Sequence, residues 1–141
     1  MDFQEVIRDL RHWKLTRERT IFFAIGFLAV CIYEFLARPI YRPYIYQNQI
    51  NDFHIADTIG NTLGTVATIF VFLGVFGQNR TNNVALIKVI TFSVALFEVA
   101  HPLLGKPIDG WDVAATLLTG GLCLLGYTLF APGESTGNSA R

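Results

Sequence analysis

Residues 55–77 read IADTIGNTLGTVATIFVFLGVFG, an almost wholly apolar segment whose only ionisable side chain is Asp57. A helix of this length covers the roughly 20 residues needed to cross a bilayer core of about 30 Å. Three other apolar runs approach the same length: Thr20–Ala37, Val84–Ala100 and Trp111–Ala131. The sequence therefore predicts an all-α membrane protein with four transmembrane helices.

The overall composition agrees with a membrane protein. Hydrophobic residues make up 52% of the 141 residues and charged residues only 16%, and the mean hydropathy is +0.41. Eleven basic residues balance eleven acidic ones, so the chain lacks the basic field that nucleic-acid binding uses. We exclude a nucleic-acid partner on this ground.

The segments outside the spans are short. Residues 1–19 place Phe3, Val6, Leu10 and Trp13 at helical spacing, which predicts a cytoplasmic interfacial amphipathic helix. Residues 20–131 form the four-helix transmembrane domain. Residues 132–141, rich in Gly and Ser, are predicted to be a disordered cytoplasmic tail.

The distribution of Lys and Arg predicts the orientation, because these residues concentrate in cytoplasmic segments. With the N-terminus inside, eight basic residues face the cytoplasm and three face outward. The outward three are Arg38, Arg42 and Lys106. Both termini are then cytoplasmic, and we expect the chain to lie in a bacterial cytoplasmic membrane.

Ionisable residues gather at the outward ends of the spans. They are Glu34, His54, Asp57, Glu98, His101 and Asp112. Such side chains are costly at membrane depth unless they are paired or wetted. Their recurrence at one end predicts a functional site there, with Asn61 on the same helical face as Asp57.

The two halves of the chain resemble each other weakly. Asp57-Thr-Ile-Gly-Asn-Thr-Leu-Gly64 aligns with Asp112-Val-Ala-Ala-Thr-Leu-Leu-Thr119, and Glu34 aligns with Glu98. This pattern predicts two repeated helical hairpins, related by an axis along the membrane normal, with a shared polar site near that axis. The glycines at positions 60, 64, 120, 121 and 126 are interpreted as helix-packing residues.

The polar cluster permits three interpretations, and the first is a divalent metal site. The motifs His54-x-x-Asp57 and Glu98-x-x-His101 each place a carboxylate and an imidazole on one helical face. Helix bundles use such pairs to hold metals.

The second interpretation is a site for a lipid headgroup. Arg38, Arg42 and Lys106 would contact an anionic group, because Arg binds phosphate bidentately. Tyr41, Tyr44 and Tyr46 lie in the same linker. Pro39 and Pro43 are predicted to end the first helix and to hold this linker extended or in turns.

The third interpretation is purely structural. Glu34 and Arg38 are four residues apart, which permits an ion pair. Asp109 and Asp112 would cap the start of the fourth span, where an anion meets the positive end of the helix dipole. This interpretation requires no ligand.

The second half of the chain also contains a family-like pattern over residues 92–127. Its elements are Glu98-Val-Ala-His101, Lys106, Asp109-Gly-Trp-Asp112 and Gly120-Gly121. The pattern resembles the VanZ-like membrane proteins, whose signature is Glu-x-x-Gln, a basic residue and Asp-x-x-Asp-x-x-x-Asn-x-x-x-Gly.

Three positions depart from that signature: His101 replaces the Gln, Lys106 the Arg and Thr116 the Asn. The resemblance implies a small polytopic membrane protein, and the best-known member of the family is associated with tolerance to glycopeptide antibiotics. Glu98, Asp109 and Asp112 carry over as motif positions, without a catalytic role.

Together these patterns favour a membrane protein whose outward polar cleft binds the headgroup of an envelope lipid or glycolipid. The expected binding residues are Arg38, Arg42, Lys106, Glu34, Asp57, Asn61, Glu98, Asp109 and Asp112. Two alternatives stay open. In the first, the chain is an accessory structural subunit of a larger membrane complex, and its partner is another membrane protein or a second copy of the chain. In the second, the chain is an acid/base or metal-dependent envelope enzyme.

Overall fold

The computed structural model describes residues 14–105 and 107–130, and within these ranges the regular structure is entirely helical. Four helices are long and apolar enough to cross a membrane, which confirms the predicted number of candidate spans. The predicted interfacial helix, the predicted tail and Lys106 lie largely or wholly outside the described residues.

The helices follow one another with short connections. They are α1 (Arg17–Ile32), a π-helical segment (Tyr33–Tyr41), α2 (Arg42–Gln47), α3 (Ile55–Phe76), α4 (Arg80–Val99), a 3₁₀ turn (His101–Leu104) and α5 (Gly110–Phe130). The first three are continuous and form one long helix, Arg17–Gln47.

The prediction that Pro39 and Pro43 end the first helix was wrong. The chain passes Pro39 in the π-helical segment, and Pro43 lies in the first turn of α2. A proline inside an α-helix lacks the N–H donor and clashes with the carbonyl four residues back. The wider π turn changes that spacing, and the Arg42 N–H donates to the Ala37 carbonyl, five residues back. The first helix thus extends to Gln47.

Helix α3 is the central element of the packing. It contacts α1, α4 and α5, and α4 and α5 pack against each other, whereas α1 makes no comparable contact with α5. A groove of about 590 Å³ therefore lies between α1 and α5. The apolar core consists of Phe22, Ile69, Leu73, Ile87, Ile90 and Tyr127.

Only some glycines serve as predicted. A Cβ at Gly120 would collide with the Thr91 side chain, and one at Gly60 would touch the Tyr33 ring. Gly64, Gly121 and Gly126 face open space among the described residues, so the packing interpretation was wrong for these three.

The two ends of the helix assembly differ in charge. We call the end that holds Arg17, Arg19 and Arg80 the basic end. The opposite end, which holds α2 and the first turns of α3 and α5, is the acidic end. Its carboxylates are Glu34, Asp52, Asp57, Glu98, Asp109 and Asp112.

At the basic end, arginines bind the carbonyls that helix C-termini leave without partners. Arg80 Nη2 donates to the Thr128 carbonyl at 2.7 Å, and Arg19 Nη2 donates to the Gly77 carbonyl at 3.0 Å. A cation there also complements the negative end of the helix dipole. These contacts connect α4 with the end of α5 and α1 with the end of α3 at the basic end.

Candidate functional site

The loop before α3 has an unusual backbone. Phe53 and His54 adopt positive φ angles of 56° and 65°, a left-handed conformation that is uncommon for residues other than glycine. Asp52 stabilises the start of the helix, since its Oδ2 accepts the Ala56 N–H at 2.6 Å. The same oxygen accepts a hydrogen bond from Tyr41 Oη at 3.0 Å. This arrangement fixes where His54 and Asp57 project.

A chain of polar contacts links three helices at the acidic end. Arg42 Nη2 donates to Tyr46 Oη at 3.3 Å, and Tyr46 Oη donates to Asp57 Oδ1 at 2.6 Å. The other Asp57 oxygen lies 3.0 Å from His54 Nδ1. The His54 ring stacks on Trp111 of α5, with ring centroids 4.8 Å apart. The predicted residues Arg42, His54 and Asp57 are therefore brought together.

Asp112 forms the α5 side of the same region. Its carboxylate lies near the Asn61 side chain and interacts electrostatically with Asp109, His101 and Asp57. Asp109 itself caps α5, because its Oδ1 accepts the Trp111 N–H at 2.9 Å. The predicted role at the helix start is confirmed for both residues, since Asp109 is the cap and Asp112 lies in the first turn, near Asn61 of α3.

Glu98 and His101 form a second carboxylate–imidazole pair. Glu98 Oε2 lies 3.2 Å from His101 Nδ1, and Glu98 is only 5% exposed. The Phe97 ring packs edge-on against the His101 ring. Both predicted pairs are thus formed, His54 with Asp57 and Glu98 with His101. Across residues 14–105 and 107–130, however, no group of three or more His, Cys, Asp or Glu side chains could hold a metal ion.

Glu34 and Arg38 form the ion pair that their spacing permits. Arg38 Nη1 lies 3.1 Å from Glu34 Oε2, and the two side chains are 63% and 45% exposed, in the order Arg and Glu. Arg38 is therefore already paired with a carboxylate, unlike Arg42, whose partner is the Tyr46 hydroxyl.

Four buried polar atoms at or below the acidic end have no hydrogen-bond partner in the described part of the chain. They are Arg42 Nε, Asp112 Oδ1, Thr65 Oγ1 and Thr116 Oγ1. Buried polar groups in proteins are nearly always hydrogen-bonded, so each exception requires an explanation. Arg42 Nε is a cationic donor, Asp112 Oδ1 is an anionic acceptor, and the two threonine hydroxyls can both donate and accept.

Sequence reasoning missed three contributors to this region: Asp52, Thr65 and Trp111. The helical spacing places Asn61 on the face of Asp57, and positions 64, 65 and 68 follow Asn61 near the same face. In the structure Gly64 is exposed and Thr65 is 1% exposed. The spacing of four from Asn61 to Thr65 was the available signal, because it preserves the same stripe.

Comparison of the chain with protein-family models, with curated proteins and with solved structures found no significant match. The VanZ-like resemblance stays a prediction.

Proposed function

We propose that the acidic end binds the headgroup of a membrane lipid, one that carries hydroxyl groups beside a single anionic group, as in a glycosylated phospholipid. The observation that carries this proposal is the buried Arg42 Nε, which has no hydrogen-bond partner within the described ranges. A guanidinium N–H without a partner among the described residues offers a charge-assisted hydrogen bond to a phosphate oxygen. Arg42 is the anion contact in this account.

The contacts of Arg42 support this role. Its guanidinium carbon lies 5.8 Å from the centre of the Tyr46 ring, so an aromatic face holds one side of the cation. Its hydrogen bond to the Tyr46 hydroxyl is long, at 3.3 Å. Tyr33 interacts with the same guanidinium. Within the described ranges Arg42 forms no direct ion pair, although the nearby Asp57 carboxylate attracts it.

The surplus of carboxylates explains why hydroxyl groups are part of the proposal. Six carboxylates lie at the acidic end, against Arg38 and Arg42 among the described arginines and lysines. A bare phosphate would be repelled by this excess of negative charge. Sugar or polyol hydroxyls donate to carboxylates, so Asp57 fits them as an acceptor.

The proposal includes an orientation. The basic end holds Lys14, Arg17, Arg19 and Arg80, and such residues concentrate on the cytoplasmic side. The acidic end then faces outward from a bacterial cytoplasmic membrane. An outward site for an envelope lipid agrees with the role in envelope or antibiotic tolerance that the VanZ-like resemblance implies, and that role is part of the same hypothesis.

Native mass spectrometry of the gently extracted protein tests the proposal. We expect a retained lipid in the wild type, its loss in the double variant Arg38→Ala with Arg42→Ala, and unchanged helical content by circular dichroism. The single variants separate the two arginines. Arg42→Gln should lower lipid occupancy by about tenfold or more, whereas Arg38→Gln, its matched control, should retain the lipid.

Two results would refute headgroup binding. One is a wild-type chain that carries no lipid. The other is equal lipid occupancy in Arg42→Gln and in the wild type.

A second function, that of an accessory subunit, is favoured by Lys88. This residue is exposed and lies eight positions after Arg80, about 12 Å along the α4 axis. No ion pair among the described residues involves it. A lysine on a membrane-facing surface is costly unless it snorkels or meets an acidic partner. A partner chain that co-purifies at fixed stoichiometry with the wild type, but is lost in Lys88→Leu, would establish this function.

A further inference from the structure

A layer of hydroxyl groups lies one helical turn below Asn61 and Asp112. Thr65 follows Asn61 by four residues on α3, and Thr116 follows Asp112 by four on α5. The two helices are packed together and both begin at the acidic end. Since Asn61 faces Asp112, Thr65 and Thr116 occupy the next layer of the same interface.

These two hydroxyls are unusual for threonines in helices. Threonine commonly donates to the carbonyl four residues back, as Thr68 does to Gly64 and Thr91 does to Ile87, each at 2.8 Å. Thr65 and Thr116 are 1% and 0% exposed, yet their Oγ1 atoms have no partner within residues 14–105 and 107–130. Both hydroxyls are therefore buried without the usual backbone bond, and we place them at the α3–α5 interface because each follows Asn61 or Asp112 by four residues.

The neighbouring carboxylate is not neutralised by a salt bridge. Asp112 takes part in none of the ion pairs formed by the described residues, and its buried Oδ1 has no hydrogen-bond partner there. The nearby charges of Asp109 and Asp57 make the region more negative, and the His101 imidazole also lies near Asp112. Asp112 is partly buried, and a bound cation would offset this negative charge.

We propose that Asp112, Asn61, Thr65 and Thr116 form a binding site for a small monovalent cation, with Na⁺ as the test ion. All four side chains offer oxygen ligands, the kind that hard cations prefer. One carboxylate with three neutral oxygens balances one positive charge, so the occupied site is neutral. This site goes beyond headgroup binding, since it takes a different ligand and uses the two threonines that lie below the cleft.

Equilibrium binding of ²²Na⁺ to the detergent-solubilised full chain tests the site, with choline chloride to hold the ionic strength constant. We expect saturable binding in the wild type that is lost in Asp112→Asn and reduced at least tenfold in Thr65→Val and Thr116→Val. Thr68→Val is the matched control, because its hydroxyl already bonds its own backbone, and it should bind like the wild type.

Thermal unfolding gives a second measurement. A ligand that binds only the folded state raises the midpoint with concentration, and we expect about 5 °C per tenfold increase in Na⁺ above the dissociation constant. The isosteric Thr116→Val variant keeps the shape of the core and should lose this dependence.

The outcomes are distinguishable from those for headgroup binding. Absence of saturable ²²Na⁺ binding in the wild type overturns the cation site, as does binding that persists unchanged in both threonine variants. Lipid occupancy in Thr65→Val should equal that of the wild type whether or not Na⁺ binds.

Discussion

The basic and acidic ends of this molecule treat buried polar groups in opposite ways. At the basic end, Asn83 Nδ2 donates to Tyr127 Oη at 2.8 Å, and Asn83 Oδ1 accepts the Gln78 N–H at 3.0 Å. At the acidic end, Arg42 Nε and Asp112 Oδ1 are buried without a partner in the described structure. A folded chain saturates polar groups that serve stability. This difference agrees with the proposal that the acidic end binds a ligand, whereas the saturated polar groups of the basic end stabilise the fold.

The largest expected effect on stability comes from a substitution between the two ends, where α4 packs against α5. Gly120→Val should severely destabilise the protein, by about 3 kcal/mol or more, because the new side chain would collide with Thr91 on α4,. Gly121→Val is the matched control, since Gly121 faces open space. Thermal unfolding in mild detergent compares the two. Equal midpoints for both variants would contradict the described α4–α5 packing.

The next prediction removes the polar pair of the basic end. Asn83→Ala should lower the free energy of unfolding by about 2 kcal/mol, because it leaves the buried Tyr127 hydroxyl and the Gln78 N–H without their partner,. Reversible unfolding monitored by circular dichroism measures the change. The double variant Asn83→Ala with Tyr127→Phe should recover part of the loss. If Asn83→Ala left the free energy of unfolding unchanged, the hydrogen bonds of Asn83 at the basic end would not stabilise the fold.

The third prediction removes a buried polar group below the acidic end. Here we expect no loss of stability. Without added Na⁺, Thr116→Val should leave stability unchanged or raise it by about 1 kcal/mol, since it removes a buried hydroxyl that has no partner among the described residues,. Unfolding in choline buffer gives the value. A loss comparable to that of Asn83→Ala would show that the hydroxyl already serves the fold, and the contrast between the two ends would fail.

The smallest effect is expected for the exposed ion pair. Glu34→Gln removes the ion-pair partner of Arg38, but both side chains are exposed. Exposed pairs of this kind contribute about 0–1 kcal/mol. The unfolding midpoint should therefore change little. A shift as large as that of Asn83→Ala would show that the acidic end also contributes to stability through its charges.

Much of the fold could be predicted from the sequence, because long apolar runs have few alternatives in a bilayer. The candidate spans that begin at Ile55 and near Trp111 have almost the predicted bounds. The first span does not, since the rule that proline ends a helix ignores the π-helical turn around Pro39. The π-helical conformation involves nine consecutive residues, and no single residue type in the sequence predicts it.

The candidate site was partly predictable. Short-range pairs such as His54 with Asp57 followed from helical spacing, and the structure forms them. Contacts between helices did not follow, because the rotation of each helix is set by packing. The stacking of His54 on Trp111 and the burial of Thr65 depend on that rotation. A repeat of the two hairpins would make the α1–α5 contact equivalent to the α3–α4 contact. Because α1 makes no contact with α5 comparable to the one between α3 and α4, the internal repeat stays a prediction.

The most direct test of the central claim pairs one arginine from each end. Lipid occupancy per folded molecule and the unfolding midpoint are measured for Arg42→Gln and Arg80→Gln, since Arg80 donates to the Thr128 carbonyl at the basic end. The account predicts that Arg42→Gln loses the lipid and keeps its lipid-free midpoint, whereas Arg80→Gln keeps the lipid and unfolds at a lower temperature. Retained lipid with a lowered midpoint in Arg42→Gln would contradict it.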